Sequence, residues 1–217
     1  NATMFNNNEI VIYNSDIKEI DDNLIKDGSV QLILTSPPYV SAQKYIRASS
    51  LSLQWLGLNN NSLSSLDKKS IGREYFSPNE YKQFYKTGFK TIDTILLKIF
   101  EKNKLRAYIT YTYLIEMQKM FQKSFAILKE KGYFIMVIGN NTIAGYEFMT
   151  YKYLIEIAEN KKKSVNFIHA NPTLDYDGWR NEYNETIAQV LLQQHFNDHA
   201  VIAMFDYLSL KNIKNIV

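Results

Sequence analysis

The sequence contains no cysteine, which excludes disulfide bridges and thiolate metal sites. Its three histidines lack a spacing that is typical of a metal site, so we expect no bound metal. No apolar run approaches the roughly 20 residues that cross a bilayer, and no secretion signal opens the chain. These absences predict a cytoplasmic protein without a membrane partner.

The composition suits one globular domain with a substantial core, or one domain that carries an insertion. The chain has 217 residues, of which 46% are hydrophobic and 22% are charged. Charge of one sign is not in large excess, because the formal net charge is only +3. This mildly basic balance is compatible with a phosphate-binding face but does not require one.

The most informative stretch is an apolar run that ends at two prolines. Val30 to Leu34 has the length and composition of a buried strand. Pro37 and Pro38 stop it, because neither can donate a ladder hydrogen bond and each restricts the residue before it. We therefore expect Ser36 and Pro37 to form a stiff, solvent-facing segment at the carboxyl end of a strand, where open α/β sheets bind their ligands.

The segment Thr35-Ser36-Pro37-Pro38-Tyr39 resembles the (Asp/Asn/Ser)-Pro-Pro-(Tyr/Phe) motif of the DNA amino-methyltransferases. These enzymes transfer a methyl group from S-adenosylmethionine to the exocyclic amine of cytosine (N4) or adenine (N6), and the serine form is more usual in the cytosine-N4 enzymes. The segments Ile10–Asp16, Asp27–Leu34 and Leu128–Asn140 are similar to the sequences that flank this motif in the family. The absence of cysteine agrees, because the rival cytosine-C5 enzymes need a cysteine nucleophile.

This resemblance implies an α/β fold, namely a Rossmann-like S-adenosylmethionine-dependent methyltransferase sheet with flanking helices. We expect residues 1–217 to form a single catalytic domain, or the half of one that carries the target motif. A helical or loop insertion at about residues 41–85 is expected to contact DNA. The resemblance also implies a role in restriction–modification, with double-stranded DNA as the partner and the target base flipped out of the duplex.

The resemblance assigns roles to three groups of residues. The catalytic group is the motif itself: Ser36, Pro37, Pro38 and Tyr39. The cofactor group lies at the ends of predicted strands: Asp16, Thr35, Gly139 and Asn140. The DNA-binding group consists of basic and aromatic residues in predicted loops and in the insertion: Lys44, Tyr45, Arg47, Lys68, Lys69, Arg73, Trp179 and Arg180. Simpler roles are open for several of these residues, namely helix caps, a solvated lysine loop and loop packing, although proximity to the motif favours DNA contact for the lysine loop.

Glycine is too scarce for the family's second signature, a Phe-x-Gly-x-Gly-type loop around the cofactor. The chain has only eight glycines, and no two are separated by a single residue. An early target motif fits a permuted class in which the glycine loop comes last; alternatively, the loop lay upstream. We therefore expect a fragment, one subunit of a split enzyme or a degenerate copy, with a second chain or domain that carries the glycine loop as a partner.

Three functions follow from these observations. The first is site-specific methylation of cytosine N4 in DNA. The second is the same chemistry on adenine N6 or on an RNA base. The third is a non-catalytic DNA-binding or partner subunit of a split methyltransferase.

Hydrophobic periodicity predicts the elements around the motif. Strands are predicted at residues 9–14, 30–34, 133–138, 165–170 and 186–193, of which the last two match the terminal hairpin of methyltransferase sheets. Helices are predicted at residues 17–25, 42–58, 79–102, 105–130 and 147–161. Gly57 and Gly132 are expected to end the second and fourth of these helices.

Overall fold

A computed structural model of the chain describes residues 10–41, 45–57, 63–161, 165–170 and 200–206. Its strands are β1 (Val30–Thr35), β2 (Leu128–Ile138), β3 (Asn141–Ile143), β4 (Tyr146–Phe148), β5 (Val165–Ala170) and β6 (Ala200–Asp206). The main sheet has the order β1-β2-β6-β5, and β3 and β4 form a separate hairpin. β1 is parallel to β2, and β6 lies antiparallel between β2 and β5, so β1, β2 and β5 run in the same direction.

Six α-helices follow the motif in the described part of the chain. Three are short, α1 (Tyr45–Ala48), α2 (Ser50–Trp55) and α3 (Leu63–Lys69). Three are longer, α4 (Lys90–Lys102), α5 (Lys104–Ile127) and α6 (Thr150–Lys161). The fold is therefore mixed α/β, with three strands of like direction flanked by helices, and this arrangement is compatible with a Rossmann-like sheet.

The core is built on α5 and β2. On α5, apolar side chains recur every three or four residues, and Leu114, Met117 and Phe121 are all buried, which confirms the predicted apolar face. On β2, residues 134–138 are all buried. Since successive residues of a strand point to opposite faces of the sheet, both faces of β2 are covered at these positions, while its two edges pair with β1 and β6.

Gly132 lies inside β2, so the prediction that it ends the preceding helix is wrong. The register between β1 and β2 shifts between Val30 and Leu32, where β2 contains additional residues. A Cβ atom added to Gly132 would lie 3.1 Å from the carbonyl oxygen of Gln31 and 2.9 Å from Cγ of Leu128. Glycine is therefore needed at this position because the backbones of the two strands approach closely.

β1 is confirmed as a strand, but it is not buried as predicted. Leu32 and Leu34 are each 47% exposed, because β1 pairs only with β2 among the described residues and lies at the edge of the sheet. The strand predicted at residues 9–14 is also wrong for its described part. Residues 10–14 form no regular element, and Ile10 and Ile12 are each 88% exposed.

The helix predicted at residues 79–102 begins only at Lys90. Gly88 has a φ of +90°, which cannot continue a right-handed helix. The carboxylate of Asp93 then caps the new start, since it accepts hydrogen bonds from the backbone N–H and the hydroxyl of Thr87, both at 2.7 Å. Local hydrogen bonding therefore overrides the apolar periodicity of residues 79–89.

The helix predicted at residues 147–161 begins later, at Thr150. Ala144 and Gly145 both have positive φ values, of 52° and 84°, which suit a two-residue hairpin turn. β3 and β4 pair across this turn, with Ile143 opposite Tyr146. The segment after β2 is therefore a hairpin followed by a helix, where the sequence pattern indicated only a loop and a helix.

The segments around the motif contain less helix than predicted. The helix predicted at residues 17–25 is a single 3-10 turn, Ile17–Glu19, and Asp16 caps it by accepting a hydrogen bond from the Lys18 N–H at 2.9 Å. The helix predicted at residues 42–58 is divided at Ser49 into α1 and α2, and Gly57, with a φ of +65°, follows its end as predicted. The strand predicted at residues 165–170 is confirmed, whereas residues 186–193 lie outside the described ranges.

Candidate functional site

The Ser-Pro-Pro-Tyr segment follows the carboxyl end of β1, as predicted from the sequence. Ser36 is exposed, Pro37 is buried, and Pro38 and Tyr39 are half-buried. The two prolines restrict φ directly after the serine. Ser36 is thus presented to solvent by a stiff backbone that is partly held in the protein.

The chain directly after the motif is anchored in the core. Val40 is fully buried, and its carbonyl oxygen accepts a hydrogen bond of 2.7 Å from Nδ2 of Asn141. Oδ1 of Asn141 in turn accepts a hydrogen bond from the Thr142 N–H at 2.8 Å, which fixes the orientation of the amide. Ser41 has a φ of 53°, a conformation that costs a non-glycine residue free energy. The side chain of Asn141, the first residue of β3, therefore holds the loop after β1.

The contact between Asn141 and Val40 makes the segment after β2 a neighbour of the segment after the motif. Of the predicted cofactor residues in this region, Thr35 is half-buried, Gly139 is buried and Asn140 is exposed. They lie at the carboxyl ends of two adjacent parallel strands. The alternative role of Asn140 as the cap of a following helix is wrong, because a hairpin follows it.

Residues 70–75 pack against the motif from elsewhere in the chain. Gly72 has a φ of +77°, and a Cβ atom added to it would lie 3.7 Å from Cβ of Pro38 and 3.8 Å from Cδ2 of Tyr113. The Gly72 N–H donates a hydrogen bond to the carboxylate of Glu116 on α5. Glu116 thus holds the segment that contacts Pro38.

Charged groups of both signs surround Glu116. Burial raises the pKa of Glu116 above its ordinary value of 4.5; the charge of Lys18, the Gly72 N–H and the charge of Arg73 oppose this rise, and Asp16 adds to it. Asp16 also forms an ion pair of 3.1 Å with Lys18. The predicted cofactor residue Asp16 therefore belongs to the same charged cluster as the segment that packs on Pro38.

Glu116 and Asn141 were not among the site residues predicted from the sequence. A signal for Glu116 was present, because it is an acidic residue between Ile115 and Met117 on a largely apolar helix. For Asn141, the only signal in the sequence was its position three residues after the end of β2. Its partner, Val40, is 101 residues away in sequence, and no local pattern indicates such a pairing.

Arg73 is held by two contacts inside the protein. Its guanidinium forms an ion pair of 2.8 Å with Glu80 and lies 3.9 Å from the centre of the Phe76 ring. Only about a fifth of the Arg73 side chain is exposed. A DNA phosphate at Arg73 would therefore compete with existing contacts.

The other predicted DNA-binding residues are distributed over the short helices or lie outside the described ranges. Arg47 is exposed on α1, and Lys68 and Lys69 are exposed in the last turn of α3. Tyr45 is the first residue of α1. Three residues lie outside the described part of the chain: Lys44, Trp179 and Arg180.

A cavity of about 440 Å³ opens between the short helices and the segment that packs on the motif. Its lining combines apolar, hydroxyl and charged side chains from α1, α2 and α3 with one aromatic residue: Ile46, Arg47, Ser50, Leu63, Ser64, Asp67 and Tyr75. Burial raises the pKa of Asp67 above 3.8; the charge of Arg73 and the backbone N–H of Tyr75 oppose this rise, and Glu74 adds to it. The cavity therefore contains a carboxyl group that is partly removed from water.

Within the described ranges, no group of three or more His, Cys, Asp or Glu side chains is arranged to hold a metal ion. No helix in the same ranges is long and apolar enough to span a membrane.

Comparisons with known proteins do not assign the chain to a family. No family model matches it, and neither a curated protein nor a solved structure is significantly similar to it. The case for a function therefore depends on the motif and its surroundings.

Proposed function

We propose that this protein is a DNA methyltransferase that transfers a methyl group from S-adenosylmethionine to the N4 amine of cytosine, as a component of a restriction–modification system. The observation that carries the proposal is the exposed Ser36 at the carboxyl end of β1, followed by two prolines and an anchored Val40. The sheet topology adds support. β6 lies antiparallel between β2 and β5, an arrangement that is similar to the terminal hairpin of methyltransferase sheets.

The chemistry needs hydrogen-bond acceptors at a fixed place. The lone pair of an exocyclic amine is delocalised into the base, so this nitrogen is a poor nucleophile. The hydroxyl of Ser36 and the carbonyl of Ser36 or Pro37 can accept the two N–H hydrogens, which concentrates electron density on nitrogen as it attacks. The prolines place these acceptors in advance, and Tyr39 offers a face on which a flipped base can stack.

The described residues do not by themselves form a complete cofactor site. The sequence has no Gly-x-Gly loop, and no described strand pairs with the outer edge of β1. Asp16, Thr35, Gly139 and Asn140 would contribute one acidic group and two strand ends to such a site.

The same observations support two alternatives. A hydroxyl and a carbonyl oxygen would serve adenine N6, or an RNA base, equally well as acceptors, so the modified nucleoside must decide the base. A non-catalytic partner subunit is favoured by the half-exposed Leu32 and Leu34 on an edge strand, since a second chain could complete the sheet there.

The decisive experiment is methyl transfer from labelled S-adenosylmethionine to mixed-sequence DNA, followed by digestion and nucleoside chromatography. We expect label in N4-methylcytosine, and we expect Ser36→Ala to lower the rate by about 10²- to 10³-fold through loss of one acceptor. Ser29→Ala, at an exposed serine before β1 and at the opposite end of this strand from the motif, is the matched control and should retain the parental rate. Label in N6-methyladenine would identify adenine, and not cytosine, as the methylated base. Equal rates for Ser36→Ala and the parent would refute the role of Ser36.

Absence of label in every nucleoside would favour the partner subunit. Equilibrium dialysis with labelled S-adenosylmethionine then separates the cases, because a partner subunit should not bind the cofactor alone. Tight binding by the isolated chain would argue against that alternative.

A further inference from the structure

The cavity between α1, α2, α3 and Tyr75 has the size and chemistry of a small-ligand site. Its volume of about 440 Å³ lies within the range of roughly 300–1,000 Å³ that is usual for ligand pockets. Ile46 and Leu63 supply apolar wall, and Tyr75 supplies an aromatic ring that is 58% exposed. A flat, partly apolar ligand suits such walls better than a compact charged one.

Polar groups in the same wall are mainly acceptors. The carboxylate of Asp67 accepts the Tyr75 N–H, which leaves further acceptor positions on its two oxygens. The Ser50 hydroxyl donates to the carbonyl oxygen of Arg47 at 2.8 Å, so its lone pairs are what it can offer a ligand. A ligand that donates hydrogen bonds at its edge would match these groups.

Positively charged side chains lie next to these acceptor groups. Arg47 lines the cavity and is exposed, and Lys68 and Lys69 follow Asp67 directly at the end of α3, where both are exposed. Such groups bind phosphates. A planar ring with an amine at its edge and an attached phosphate would match the apolar walls, the acceptors and the cations of this site.

We propose that this cavity binds one nucleobase that carries an exocyclic amine, with the amine on Asp67 and the phosphate of the nucleotide on Arg47, Lys68 or Lys69. The inference rests on the proposed function only in taking DNA as the natural source of the nucleotide. Residues 70–75 link α3 to Pro38, so a strand held in the cavity runs close to the motif. The cavity then reads a base other than the one at Ser36.

The test measures binding of the mononucleotides dCMP, dAMP and dTMP to the full chain by calorimetry, at low salt, at pH 8 and without cofactor. We expect dCMP and dAMP to bind and dTMP to bind about tenfold more weakly, because the O4 carbonyl of thymine faces the Asp67 carboxylate. Equal affinity for all three nucleotides, or no binding of any, would overturn the proposal.

Variants locate the site. Asp67→Asn should bring dTMP to within about twofold of dCMP, since an amide can donate to O4 as well as accept. Glu101→Gln on α4, outside the cavity, is the control for loss of one carboxylate and should keep the preference. Loss of the preference in Ser36→Ala but not in Asp67→Asn would place the base at the motif and refute the proposal.

Methyl transfer plays no part in this experiment. The binding result can therefore be interpreted even if the protein does not methylate DNA. Conversely, equal binding of the nucleotides would not contradict the proposed role of Ser36. The comparison of dCMP with dTMP on the parent chain also needs no variant to fold.

Discussion

Two regions of the molecule differ in how they are held together. The first is built around β2, α4, α5 and α6, and the second contains β1, the motif and the short helices α1 to α3. In the first, α4, α5, β2 and α6 share a contiguous core in which side chains such as Phe121 and Phe134 are fully buried. In the second, apolar residues stay at the surface, and Trp55 on α2 is 92% exposed. The first region is positioned by burial. In the second region, a few polar contacts fix the position of the chain, and its exposed apolar residues are open to contact with another molecule.

This difference explains why the candidate site lies where the two regions meet. Ser36 and its neighbours belong to the weakly buried region, but two side chains from the core region hold them, Asn141 on the Val40 carbonyl and Glu116 on the Gly72 N–H. A rigid scaffold that positions mobile or exposed functional residues is common in enzymes. If this division of the molecule is right, substitutions in the two regions should differ in their effects on stability and activity.

Truncation in the core should cost far more stability than truncation near the motif. Phe121→Ala should lower the free energy of unfolding by about 3–5 kcal/mol, because it removes a fully buried ring. Leu51→Ala, at an exposed position on α2, should change it by less than about 0.5 kcal/mol. Urea denaturation followed by circular dichroism measures both. A cost at Leu51 close to that at Phe121 would contradict the division into two regions.

Loss of the anchor at Val40 should have an intermediate effect. Asn141→Asp keeps the shape but cannot donate, so we expect a loss of about 1–3 kcal/mol in the free energy of unfolding, as for a hydrogen-bonding group left without its partner. We also expect a fall in methyl transfer, since Val40 follows the motif. Its exposed neighbour provides the control, and Asn140→Asp should be nearly neutral in stability. Identical stability of the two variants would mean that the bond to Val40 does not hold the loop.

The pH dependence of Glu116 should give the smallest effect, and its direction is the test. Burial raises the pKa of Glu116 in the folded chain above 4.5, so ionisation is less favourable in the folded than in the unfolded state. Above the folded pKa this cost is fully present, and below pH 4.5 it disappears. Glu116→Gln removes the charge and keeps an acceptor for Gly72. Its stability relative to the parent should therefore rise as the pH rises from about 4 through neutrality. A relative stability that falls with pH would contradict the raised pKa.

Much of the core could be predicted from the sequence, because periodicity there is strong. The apolar face of α5 and the strands β2 and β5 follow directly from such patterns. Helix starts were less predictable, since Gly88 and the Ala144–Gly145 turn end regular structure through backbone conformations that apolar periodicity does not reveal. For the candidate site, the strand-end position of Ser36 was predicted, whereas the roles of Asn141 and Glu116 were not.

The stiff Ser-Pro-Pro segment at the end of a strand follows from the local sequence, because proline restricts its own φ and its neighbour's conformation within two or three residues. The lack of cysteine and of a Gly-x-Gly pattern can also be read directly from the sequence. The tertiary fold adds three features: β1 lies half-exposed at the edge of the described sheet, Asn141 reaches Val40, and Glu116 holds the segment beside Pro38. These features join residues far apart in the chain, and their energetics depend on which groups lose water together when the chain folds.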